Sequence, residues 1–132
     1  MTTRPGGDAA TLAVIRIALL MGVIMFGAVT YFLHRGGGWT PAPRETLALL
    51  RTFLVVVWAG ALAALLFLRS RLTGVTDAAR RRTLLTIAWA VSESVALFGG
   101  VYYFLSDDPR WFLSGVFFML AAFMIFPGRA RR

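Results

Sequence analysis

The chain of 132 residues has no cysteine, a single histidine and only six acidic residues, and its fourteen basic residues are all arginine, so lysine is absent as well. Each shortage closes a class of function. Without cysteine there is no disulfide, no thiolate metal site and no thiol chemistry. The one histidine, His34, has no acid near it in sequence and makes a poor metal site; it reads as a residue at the edge of an apolar segment. No glycine-rich phosphate loop, no pairing of a nucleophile with histidine and no metal-ligand spacing is present. A non-enzymatic protein without a cofactor or a bound metal is therefore expected.

Charge is scarce too. Charged residues make up 15% of the chain and hydrophobic residues 58%, which is too apolar for a soluble domain of this length. The apolar residues come in blocks near the roughly 20 residues of helix that cross a bilayer. Four are read, at approximately residues 17–33, 47–68, 83–105 and 111–126. The last is short, but Trp111 and the Arg129 that follows Pro127-Gly128 can lie at the two interfaces. The expectation is an all-α membrane protein with one integral domain over residues 1–132. The first block resembles a signal segment, yet no small-x-small cleavage site follows it, so an uncleaved span is expected.

The formal charge of +8 does not point to nucleic acid, because the arginines sit in short segments beside apolar blocks. Arg4 and Arg16 precede the first span. Arg35 and Arg44, with Arg51 just beyond, flank the first loop. Arg69, Arg71, Arg80, Arg81 and Arg82 crowd the middle loop. Arg110 stands with Asp107 and Asp108 in the third, and Arg129, Arg131 and Arg132 end the chain. Rich and poor segments alternate. The positive-inside rule then places both termini and the middle loop in the cytoplasm, in the inner membrane, with the middle-loop arginines against anionic lipid headgroups. Asp107 and Asp108, followed by Pro109, read as a turn that caps the last helix. The row Tyr102, Tyr103 and Phe104 reads as interfacial packing.

Two segments align without a gap. FGAVTYFLHRGGGW (residues 26–39) stands above FGGVYYFLSDDPRW (residues 98–111), sharing Phe, Gly, Val, Tyr, Phe, Leu and the final Trp. In the same register Thr11-Leu12 falls on Thr83-Leu84, Ile15 on Ile87, Ala18 on Ala90, Val23 on Val95 and Met21 on Glu93. This predicts two tandem helical hairpins in the same orientation, a parallel internal repeat.

Glu93 is the acid at the centre of the third block. Residues three, four and seven away share its helical face: Thr86, Trp89, Ala90, Ala96, Leu97 and Gly100. That face is mostly small. The row Ser92, Ala96 and Gly100 has the spacing that lets a second helix approach closely. Gly99 lies beside it. Ala59, Gly60, Ala63 and Ala64 in the second span, and Ala18 and Gly22 in the first, offer matching small surfaces for packing or for association with other chains. No cation is expected at the depth of Glu93, and desolvation there favours the neutral carboxyl. Insertion of such an acid costs about 2.5 kcal/mol or more, which marks it as a candidate site. Two readings stay open. Glu93, with Ser92, Ser94 and Thr86 near it, binds a proton or cation; or it joins helices through hydrogen bonds in a structural or accessory subunit.

The segment RRRTLLTIAWAVSESVALFGG resembles the ion-carrying helix of the rotary ATP synthase proteolipid, subunit c. The matching residues are Arg81 or Arg82, Thr83-Leu84-Leu85, Ala90, Glu93 and Phe98-Gly99. The resemblance covers one span, and it implies that Glu93 is a proton-carrying carboxylate. The family's glycine-rich helix has no counterpart here, since the second span has Gly60 alone. Glu93 also stands on the first helix of its hairpin, where the family places the acid on the second.

Overall fold

The computed structural model describes residues 5–128; Arg4, Arg129, Arg131 and Arg132 lie outside the described residues. Four helices follow one another without a strand among the described residues: α1 (Pro5–Arg35), α2 (Arg44–Leu72), α3 (Ala78–Ser106) and α4 (Arg110–Ile125). Their interiors are free of proline, which sits just before α2 at Pro43 and just before α4 at Pro109; proline is tolerated at a helix start, where its missing N–H is not needed. Asp77 caps α3, its carboxylate accepting from Ala79 N at 3.1 Å. Gly37, Gly38 and Gly74 supply the positive φ that turns the first two loops, a conformation glycine adopts at no steric cost.

The first three helices are long and apolar enough to cross a membrane. At 1.5 Å per residue, 29 residues extend about 43 Å, beyond the ~30 Å hydrocarbon core. Helix α4 has 16 residues, about 24 Å, and falls short of that thickness. Large apolar side chains point outward on every helix, among them Phe32, Leu49, Ile87, Phe117 and Met124. Such a surface suits lipid as the surrounding medium.

The helices run up, down, up, down. Asp8 meets Arg82 at one end and His34 meets Asp107 at the other, so α1 and α3 are parallel. Phe53 packs on Phe98 and Trp58 on Phe118, which sets α2 antiparallel to α3 and parallel to α4. Helix α3 is the centre: its most apolar stretch is 44% buried, against 11% for α1 and 17% for α2. The other three helices pack on it, α4 most extensively, whereas α1 and α2 do not pack on each other along their lengths. The order and direction are those of two tandem hairpins in the same orientation; α1 and α2 both dock on α3 and leave an open flank between them.

The α3–α4 contact is made by absent side chains. A Cβ on Gly99 would lie 2.6 Å from the Trp111 carbonyl oxygen, and one on Gly115 would lie 2.7 Å from Ala96 Cα. Backbone therefore rests on backbone. Phe112 fills the space beside it and occupies the position a Cβ on Gly27 would take. The core closes around Val23, Leu65, Leu85, Ala88, Trp89, Ala96 and Met119.

Candidate functional site

Glu93 stands at the middle of α3, on the side that faces α1. It is half-buried, and a Cβ on Gly22 would lie 3.8 Å from its Oε1. Of the small residues expected opposite the acid, Gly22 is the one that receives it. No hydrogen bond or ion pair of Glu93 forms among the described residues. The residues beside it on the outward side of α3, Ala90 and the half-buried Ser94, open onto the flank between α1 and α2.

The hydroxyls expected around the acid do not gather there. Ser92 is fully buried and donates to Trp89 O at 2.7 Å, Ser94 donates to Val91 O at 2.6 Å, and Thr86 donates to Arg82 O at 3.0 Å. Each hydroxyl proton is committed to a carbonyl of its own helix, the usual recourse of serine and threonine inside a helix. Of the expected ion-binding set of Glu93, Ser92, Ser94 and Thr86, none of the three hydroxyls bonds the acid among the described residues.

The packing residues divide. Ala96, Gly99 and Gly100 are buried: Ala96 and Gly99 lie against α4, and Gly100 lies against Phe26 of α1 and Phe112. Ala90, Ala59, Gly60 and Ala63 are exposed, and Ala64 is half-buried; a Cβ on Gly60 would meet nothing within 4 Å. Helix α2 buries Leu54, Leu65 and Leu68 instead, together with Ala61, because leucine bulk fills the groove that α3 and α4 leave. The small stripe of α2 points away from the bundle.

At the end of the bundle opposite the middle loop, the structure brings together residues that sequence spacing separates. His34 is buried, its side chain only 6% exposed, between Trp39, Tyr103 and Phe104. Its Nε2 lies 3.0 Å from the Phe104 carbonyl oxygen, and its Nδ1 lies 2.8 Å from Asp107 Oδ1. A carbonyl only accepts, so Nε2 carries a proton and donates. The Nδ1 contact is close but off the line of an aligned hydrogen bond. Asp107 reaches His34 from a left-handed backbone, φ 60°, as the C-cap of α3. The first loop is tied to the same place, Ala42 N donating to Leu105 O at 2.9 Å. His34 does lie at the edge of the first loop, and the fold adds what sequence did not show, an acid 73 residues away (107 minus 34). Asp108 shapes the turn as expected, its Oδ1 accepting from Arg110 N at 3.1 Å, but the N-cap of α4 is Pro109, without a side-chain cap bond.

At the middle-loop end a second cluster ties α4 down. Trp89 is fully buried; its Nε1 donates to Phe126 O at 3.1 Å, and Arg16 donates to Phe123 O at 2.9 Å. The Arg16 guanidinium also lies over the Trp89 and Phe123 rings, 5.3 and 4.9 Å from their centroids. The last carbonyls of a helix have no partner within it, and a cation there also suits the helix dipole. Sequence reading took Arg16 for a topology charge and Trp89 for a neighbour of Glu93; only the fold shows their targets. Trp58 was missed as well. Its Nε1 is buried without a partner among the described residues, five residues beyond Phe53 and so near the level of Glu93.

Among the described residues no group of three acids or histidines is placed to hold a metal ion. Fold and surface together define an all-α membrane protein. Compared with protein-family models, with curated proteins and with solved structures, the chain finds no match.

Proposed function

We propose that this protein is a non-enzymatic structural or accessory subunit of a membrane assembly, and that Glu93 makes its polar contact with a neighbouring chain. The observation that carries this is the position of Glu93. It sits halfway along a membrane-spanning helix, half-buried on the side that faces α1 and beside the open flank, and no hydrogen bond or ion pair forms to it among the described residues. An unpartnered carboxyl facing lipid is costly, and a partner on a second chain removes that cost. The outward stripe of Ala59, Gly60 and Ala63 on α2 permits close approach of another helix.

In this reading the chain has four spans in the cytoplasmic membrane, with both termini inside. Helix α4 crosses because the bilayer adapts to a short helix and because Arg16 and Trp89 hold its carbonyl end at the level of the middle loop. The two hairpins descend from one, and the Arg-rich loop contacts anionic headgroups. The test is the mass of the complex extracted from native membranes by mild detergent. Glu93→Gln keeps the hydrogen-bonding groups and is expected to keep the assembly. Glu93→Leu is expected to lose it while the isolated chain stays folded. Equal complexes from Glu93→Leu and wild type contradict the reading.

A second reading has its own support. The carboxyl is not sealed in the core, and a reachable acid in mid-membrane is what a proteolipid-like carrier of protons or cations requires. In that case Glu93→Gln preserves assembly and abolishes ion movement.

A further inference from the structure

A groove and a cup meet at the Arg-rich end of the bundle. The groove, about 230 Å³, runs between α2 and α4 over Leu62, Leu66, Phe118 and Ala121 and is almost wholly apolar. It opens beside Arg69, Ile125 and Phe126 into a wider cavity of about 920 Å³. That cavity is lined by apolar Leu72, Leu85 and Ile125, of which Leu85 is buried, and by the polar Arg69, Arg81, Thr73 and Thr76. No acid lines it. Among the described residues neither Arg69 nor Arg81 has an ion-pair partner; the acids near that end are taken up by Arg82 and by the cap of α3. From Leu62 to Arg69 the groove follows about 10 Å of helix, a length that suits a segment of hydrocarbon chain.

A purely anionic ligand would have no use for the groove, and a neutral lipid would have no use for two unpaired guanidiniums. We infer that this end of the bundle binds one anionic glycerophospholipid, its phosphate between Arg69 and Arg81 and one acyl chain in the groove between α2 and α4. Arginine suits the phosphate because its planar fork can donate twice. The inference sharpens the diffuse headgroup contact proposed above into one site. The neighbouring shallow pocket serves as the contrast, since it places Asp77 beside Arg71 and Arg80.

The test is binding of phosphatidylglycerol to the full chain in detergent, read by native mass spectrometry and by thermal stabilisation, with phosphatidylcholine and inorganic phosphate as comparison probes. Arg69→Gln with Arg81→Gln is expected to weaken phosphatidylglycerol at least about tenfold, and the charge-matched pair Arg71→Gln with Arg80→Gln to leave it near wild type. Ala121→Trp, at an exposed position inside the groove, is expected to weaken the lipid while the arginines remain. All these side chains except Arg81, which is half-buried, are exposed, and retained helicity by circular dichroism confirms folding. Equal losses from the two arginine pairs leave only the diffuse contact and overturn the site. No loss from either pair overturns both. Stabilisation by inorganic phosphate as strong as by the lipid, or unchanged binding in Ala121→Trp, overturns the assignment to a lipid.

Discussion

A few side chains hold the two ends of this bundle. His34 joins α1 to the last turn of α3 through the Phe104 carbonyl and Asp107. Replacing it with Phe keeps the ring packing against Trp39 and Tyr103 but leaves the Phe104 carbonyl oxygen without its donor. A loss of about 1–2 kcal/mol is expected, read as lower thermal stability in detergent. Asp107→Asn tolerates the left-handed backbone and removes only the charge, so it is expected to cost less than His34→Phe. At the other end, Trp89→Phe strips the donor from Phe126 O and weakens the stacking of Arg16; about 1–3 kcal/mol is expected. A Trp89→Phe chain as stable as wild type would show that water or lipid serves the carbonyl equally well. Glu93 behaves in the opposite way. Since it has no partner among the described residues, Glu93→Leu is expected to leave the isolated chain at least as stable, while weakening its association.

At the scale of elements, α3 against α4 is the contact on which the fold depends. Gly99 and Gly115 allow backbone to touch backbone, so Gly99→Ala or Gly115→Ala must push the helices apart. Overpacking of this kind costs about 1–3 kcal/mol or more, and both variants are expected to unfold at lower temperature. Gly60→Ala is the control. Its Cβ meets nothing, and better helix propensity is expected to stabilise the isolated chain by up to about 1 kcal/mol. If Gly60→Ala lowers association instead, the outward stripe of α2 is part of an interface. The apolar runs and the small row Ser92, Ala96, Gly100 made these elements legible from sequence, because each rests on local pattern. Which stripe of α2 faces inward was not legible. Ala59, Gly60 and Ala63 have the spacing of a packing face, yet the groove between α3 and α4 is filled by Leu54, Leu65 and Leu68. Shape beyond the helix itself decides that choice.

For the whole molecule, membrane class follows from composition alone, since apolar residues of this number and spacing have no other medium. The arrangement of four helices around α3 does not follow, because a repeat in sequence fixes neither which helices touch nor where a flank stays open. The acid of the candidate site was plain from its depth; its surroundings were not, as the hydroxyls of Ser92, Ser94 and Thr86 turned to their own helix. Orientation is open to direct test in a chain without cysteine. A single cysteine at Gly37 is expected to react with an impermeant maleimide on intact cells, and one at Thr76 only after permeabilisation. The reverse pattern would invert the topology. The central claim is that Glu93 is open in the single chain and covered in the assembly. Labelling by a hydrophobic carbodiimide, located by mass spectrometry, tests this most directly when dispersed protein is compared with native membranes. The account predicts that Glu93 is labelled in the dispersed chain and protected in the membrane. Equal labelling in native membranes, falling as pH rises or blocked by sodium, would contradict it and identify Glu93 as an exchangeable ion site.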